Sequence, residues 1–400
     1  MLRIVLVACG ALSLLLPAGA LPARADPVSV TMTYLGKAEP PAIPLSLVEP
    51  VLTDEGIQGA RLGIADNQTT GRFLKQEFKL VERLVPQGGD VGAALTEGIA
   101  AGERLFIADL RAEDLLPLVS AAEKAGAILL NSRATDDALR LDGCSPAVFH
   151  VAASRAMKTD ALAQYLVWKR WSRWLLIRGE RPADVAYADA IKRSATKFGA
   201  KIVEERIYKY VEGARRTDTG HVQVQSQMPV FTRAAPEHDV VVAADESDVF
   251  GEYLEYRTWD PRPVVGTAGL VASVWSRVHE QWGGTQLQRR FERQAQRWMT
   301  DRDFSAWVAA RAIGEAVTRA QTSDVQKLRS YMLADEFSLG AFKGQGLSFR
   351  RWNQQLRQPV LLVTPRMLVS VSPQDQFLHQ RTPLDTLGFD EPESRCRLNS

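Results

Sequence analysis

WLLIRGERPADVAYADAIKRSATKFGAKIVEERIY, residues 174–208, is the stretch on which the fold class turns. Residues 174–177 are an unbroken apolar run of strand length. Residues 183–198 read as a helix, Gly199-Ala200 closes it, and residues 201–208 read as a second strand. A strand, a helix and a strand in this order need a crossover, which makes the two strands parallel neighbours.

Working outward, the same alternation recurs. Residues 28–35 alternate as a strand, with Val28, Val30 and Met32 on one face. Residues 40–50 are proline-rich (Pro40, Pro41, Pro44, Pro50) and cannot be helix interior. A helix is expected from 53 to 65, strands at 79–85, 105–108 and 127–130, and helices at 91–101, 112–125 and 157–168. DVVVAA (239–244) is a strand of the kind covered on both faces, and 263–265 is another. Leu287, Phe291, Ala295 and Trp298 mark one face of a later helix whose arginines 289, 290, 293 and 297 read as a solvated face. Residues 360–363 and 367–371 read as a hairpin, and the chain after Pro373 as irregular. The class is α/β, with two parallel sheets flanked by helices.

Length and composition agree. A chain of 400 residues, 46% hydrophobic and 24% charged, fills two lobes of roughly 150–200 residues each. Its 49 basic and 47 acidic residues give a formal +2, with no excess for a nucleic-acid backbone. Arg3, the apolar run 4–16 and Ala23-Arg24-Ala25 read as a secretory signal peptide over 1–25. The run is shorter than the roughly 20 apolar residues a membrane span needs. Without Arg3 and Arg24 the basic residues fall to 47, equal to the acidic ones, so the exported chain is neutral. A soluble periplasmic protein is expected. Cys144 and Cys396 are its only cysteines after the leader; the compartment permits a bridge, and sequence leaves it open whether their sulfurs meet.

Catalytic and metal signatures are missing. His150, His221, His238, His279 and His379 have no metal-ligand spacing, and there is no GxSxG elbow, P-loop or GxGxxG after a strand. Asp245 and Glu246 follow a buried strand, at the end where open α/β sheets bind ligands. They read either as an acid/base pair or, the favoured reading, as the cap of the next helix. A binding protein, not an enzyme, is the expectation, with no cofactor.

Several runs resemble the type I periplasmic binding proteins, the group of the leucine/isoleucine/valine receptors of ABC importers. These are Ala127-Ile128-Leu129-Leu130-Asn131-Ser132-Arg133-Ala134-Thr135 with 148–151 and the helix at 159–166, the unit at 174–203, and Gly344-Gln345-Gly346-Leu347-Ser348-Phe349. Residues 32–36, 54–60, 66–73 and 377–388 are similar to one branch, the substrate-binding proteins found with PQQ-dependent (quinoprotein) alcohol dehydrogenase systems. The resemblance implies two lobes, three interlobe crossovers and a small-molecule ligand trapped by hinge closure. It divides the chain into lobe 1 (26–149 plus 267–345), lobe 2 (150–266 plus 346–375) and a C-terminal tail (376–400). It implies ABC membrane subunits and a quinoprotein dehydrogenase system as partners. The family's first-lobe ligand positions fall on Asp109, Ser132, Ala134 and Thr135, and its second-lobe wall on Tyr187. Ala268 stands where the family holds the ammonium with a glutamate, so Asp245 or Glu246 is the expected substitute and an amino-acid ligand is placed in doubt. The alternative is a non-transporting sensory or assembly partner of a dehydrogenase or receptor, for which loss of that glutamate speaks.

Overall fold

The computed structural model describes residues 27–40, 51–209, 218–396 and 398, with side chains from 218 to 223 left aside. The expected leader, and the proline-rich segment beyond Pro40, lie outside the described residues. The elements run β1 (Val28–Lys37), α1 (Ile57–Leu74), β2 (Gln76–Val85), α2 (Val91–Ala100), β3 (Leu105–Asp109), α3 (Ala112–Leu115), α4 (Val119–Lys124), β4 (Ile128–Asn131), α5 (Ala138–Leu141) and β5 (Val148–His150). Then follow α6 (Arg155–Trp168), β6 (Arg173–Arg178), α7 (Pro182–Phe198), β7 (Lys201–Ile207), α8 (Asp218–Thr232), β8 (Val240–Ala244), α9 (Gly251–Arg257), β9 (Val264–Gly266) and β10 (Leu270–Ser273). The last third holds α10 (Gly284–Ala295), α11 (Asp301–Ala320), α12 (Val325–Met332), β11 (Leu339–Gly340), β12 (Gly346–Phe349), β13 (Leu356–Arg357), β14 (Val360–Thr364) and β15 (Met367–Ser372).

Two sheets result. The first has the order β2-β1-β3-β4-β5, all parallel. The second has the order β15-β14-β10-β9-β8-β6-β7, parallel from β10 to β7 and antiparallel across the β14–β15 hairpin. Chain order reverses between β1 and β3 in the first sheet and between β6 and β8 in the second. These are the two switch points, where helices leave on opposite faces and a crevice opens. β8 is buried along its whole length, as its run of apolar residues requires. β7 is an edge strand whose Glu204, Glu205 and Arg206 keep it from pairing further.

Four expectations are corrected. The first helix starts at Ile57, not 53, because Gly56 takes φ +79 and no side chain caps it. A Cβ at Gly56 would run into Asp109 and the Tyr34 hydroxyl, so this turn admits only glycine. The helix at 112–125 is split by a 3-10 turn around Pro117. The lobe boundary expected at 266 falls inside the second sheet, which continues through β10. Finally, Arg290 and Arg297 are not a solvated face: Arg290 pairs with Asp66, and Arg297 with Asp54 and Asp303.

Lobe 1 is closed by chain that returns late. α11 packs along α1, where Gly59 and Gly63 let the backbones meet; a Cβ on Gly59 would lie 2.6 Å from the carbonyl carbon of Asp303. Asp303 is fully buried and accepts from the Gly56 amide at 2.8 Å, from Thr300, and from Arg297 at 2.6 Å. It thus fixes the start of α1 and the start of α11 at once.

The candidate binding cleft between the lobes

Asp109 is the last residue of β3, at the switch point of the first sheet, and is fully buried. Its carboxylate accepts from the Tyr34 hydroxyl on β1 and from Nε of Arg302, at 2.7 and 2.9 Å, on the first turn of α11. Burial, then the Asp109 charge, push the Tyr34 hydroxyl well above its ordinary pKa. Asp109 is therefore spent on an internal ion pair and is not free for a ligand.

Asp245 is the counterpart in the second sheet, one residue past β8. Its Oδ2 accepts from the amides of Val249, Phe250 and Gly251 at 2.6–2.8 Å. The carboxylate sits at the entry to α9, which is the cap that residue pattern suggested. Oδ1 of Asp245 is buried with no hydrogen-bond partner among the described residues. Burial raises its pKa, against the three amides that lower it. Asp245 lines a cavity of about 290 Å³ with Gly179, Glu180, Arg181, Asp184, Tyr208 and Phe250. Asp184 holds the neighbouring loop by accepting from the amide and hydroxyl of Ser247, both at 2.9 Å.

Arg155, the first residue of α6, joins the two lobes. Its guanidinium donates to Glu246 at 2.7–2.9 Å and to Asp136 at 2.9 Å. Its amide donates to the carbonyl of Thr135 at 2.9 Å. Asp136 follows β4 of the first sheet and Glu246 follows β8 of the second, so one nearly buried arginine holds both rims. Tyr187 on α7 is buried nearby; burial first, and then the Glu246 charge, raise its pKa.

Of the sequence-predicted residues, the structure brings Thr135, Glu246 and Tyr187 around Arg155. Asp245 lines the lobe 2 cavity, whereas Asp109, Ser132, Ala134 and Ala268 are not brought to the site. Ser132 turns its hydroxyl to the Ala108 carbonyl at 3.4 Å, and Ala134 is buried in the core cluster of lobe 1. Asn131 shapes this loop by accepting from the amides of Arg133 and Ala134. Ala268 lies in the apolar cluster of lobe 2 with Val249 and Phe250. Arg155, Asp136, Arg133, Arg302 and Glu180 were missed. Their common signal is position: each stands just past a strand or at a helix start. Arg133 is mostly buried, and burial and the Arg302 charge lower its pKa, while Glu39 lies 3.0 Å from its Nη1.

The chain passes between the lobes from β5 to α6, from β10 to α10 and from β12 to β14, and the first and third of these crossovers are laced together by amides of one glutamine-rich run. Gln354 donates to Val148 O at 2.6 Å, Gln355 to His150 O and Ala152 O, and Gln358 to Val151 O at 2.7 Å. Lys343 joins the second pass to the third, donating to Val274 O and, at 3.2 Å, to Pro359 O. It is buried, and burial lowers its amine to about 7, with Asp301 opposing and Lys158 adding. The unfolded amine titrates near 10.4. Between these values the unfolded chain binds the extra proton, so this group's contribution to stability rises with pH from about 7 towards 10. In urea, wild type should gain stability relative to Lys343→Met between pH 7 and pH 9. Equal pH slopes would contradict the depressed amine.

Among the described residues no cluster of histidine, cysteine, aspartate or glutamate is suited to a metal, and no helix is long and apolar enough to cross a membrane. Two facing switch points joined by laced crossovers are the geometry of one known group of folds. Residues 57–218 match the family described as periplasmic binding protein. The fold is that of a periplasmic binding protein. An ABC transporter substrate-binding protein from Sphaerobacter thermophilus is similar with TM-score 0.68 at 16% identity, over 90% of this chain and 100% of that one. A periplasmic binding protein from Burkholderia mallei gives 0.66 at 13%, over 93% and 99%. The closed form of a leucine-, isoleucine-, valine-, threonine- and alanine-binding protein from Brucella ovis gives 0.66 at 13%, over 92% and 97%. No curated protein sequence matches the chain.

Proposed function

We propose that this chain is the periplasmic substrate-binding protein of an ABC-type transport system, holding a small molecule between its lobes and releasing it unchanged. The observation that carries this reading is Arg155, which ties the loop after β4 to the loop after β8 across a three-pass hinge. Closing such a hinge buries whatever lies between the two switch points. Membrane subunits of the transporter are the partners this role requires.

The ligand is small and polar, with a hydrogen-bond-donating end, amine or hydroxyl, that meets Glu180 and Oδ1 of Asp245 in the lobe 2 cavity. Glu180 offers the acidic group that Ala268 lacks. The branch resemblance of residues 32–36, 54–60, 66–73 and 377–388 supports a finer reading, in which the system serves periplasmic alcohol oxidation by a PQQ-dependent dehydrogenase. Melting temperature and small-angle scattering over a panel of amino acids, hydroxy acids, alcohols and PQQ test both. A binder present at 100 times its Kd should stabilise the fold by about 2.7 kcal/mol and compact it. Glu180→Gln should weaken an ammonium ligand about tenfold and leave a hydroxyl ligand nearly unchanged. If nothing in the panel shifts melting or shape, the binding role is wrong; if only amino acids do, the alcohol link is wrong.

A further inference from the structure

The chain after β15 passes from one lobe to the other. Residues 384–389 are held on lobe 2 and the hinge. Lys197 on α7 donates to the carbonyls of Thr386 and Gly388, both at 2.8 Å, and Asp160 on α6 accepts from the Gly388 amide at 2.9 Å. Arg193 lies over the Phe389 ring at 3.9 Å. From the third crossover, the buried Arg350 donates to Asp385 and to the carbonyls of Leu387 and Phe389 at 2.7–3.0 Å. Arg357 reaches the same Asp385 oxygen at 2.8 Å.

The next residues are held on lobe 1. Ser394 donates to the Arg140 carbonyl, Arg395 pairs with Asp142 at 2.9 Å, and Cys396 forms a disulfide with Cys144, between α5 and β5. Cys396 is buried. The two anchorages are of different kinds, hydrogen-bonded and ionic on lobe 2, covalent on lobe 1. Between Gly388 and Cys396 the chain can span at most about 28 Å when fully extended.

We propose that the C-terminal tail is a fourth interlobe connection, a tether that limits how far and in which direction the lobes swing. The three crossovers run through the hinge itself and act as pivots. The tail instead runs from the α6–α7 face of lobe 2, where Arg193 still holds Glu393 at 3.0 Å, past Arg350 to the base of β5 in lobe 1, so a rotation that parts these anchors must take up its slack or strip them. This holds whatever the ligand is, and does not depend on the binding role above.

The test compares the oxidised protein with the same protein reduced by a phosphine and alkylated, with Cys144→Ser/Cys396→Ser, and with Lys197→Met. The last keeps the disulfide and loosens the lobe 2 anchor. Amide exchange at Val151, Ala152, Arg155 and Gln355 reports the hinge, and small-angle scattering reports the spread of lobe positions. Exchange at these amides should rise about tenfold in the reduced and double-serine proteins, with a broader distribution of shapes, and Lys197→Met should move the same way. Unchanged hinge exchange and scattering in both the reduced protein and Lys197→Met would overturn the tether. Should the double-serine chain fail to fold, those two arms still decide.

Discussion

Asp109→Ala should unfold about 3–5 kcal/mol more easily than wild type, measured by urea or guanidinium titration. The carboxylate is fully buried and holds both the Arg302 guanidinium and the Tyr34 hydroxyl. Removing it leaves the mostly buried Arg302 with only Glu55, 3.9 Å away, and such a loss of one partner costs far more than the pair itself contributes. The double variant Asp109→Ala/Arg302→Leu should recover part of the loss, since it removes the stranded charge as well. If Asp109 were a ligand contact instead, the single variant would keep its stability and lose only affinity.

Asp303→Ala should cost a similar amount, about 3–5 kcal/mol. Its oxygens serve Arg297, Thr300 and the Gly56 amide, so one deletion frays the starts of two helices and leaves the mostly buried Arg297 with Asp54 alone. Asp303→Asn keeps the shape and some acceptors and should lose clearly less. Gly59→Ala probes the same seam from the other side: its methyl cannot coexist with the Asp303 carbonyl unless the helices part, at about 1–3 kcal/mol. Equal stability of Asp303→Ala and wild type would mean that the two helix starts are set by packing alone.

Why the strands were legible and the cleft was not follows from range. Runs such as Val240-Val241-Val242 encode their own burial, and the glycine after Phe198 ends its own helix in the left-handed conformation. The partners of the cleft residues are far off in sequence. Asp109 looks like a ligand group because it ends a strand, and only folding brings Arg302 to it. Ala268 aligned with a binding position yet packs under α9, because its side chain points into the sheet-to-helix layer. Asp245 was legible as a cap, since a carboxylate before a helix finds its donors within a few residues. The runs that carry the branch resemblance prove to be joints. Asp66 accepts from Trp307 at 2.9 Å and Asn67 donates to the Ala310 carbonyl at 2.8 Å, while residues 384–388 anchor the tail. They are unusual because each meets a distant partner, and a single sequence does not say which.

The packing of α1 against α11 also sets an order of assembly. During synthesis the sheet of lobe 2 has its first eight elements, α6 to β9, emerging as one continuous stretch. The sheet of lobe 1 emerges earlier, yet the helix that covers it arrives some 240 residues after α1. Long-range contacts of that kind form slowly. The part of the molecule made first is thus finished among the last, and until residue 320 is out it offers the small-residue face of α1, with Gly59 and Gly63, to any chaperone or stray chain that reaches it.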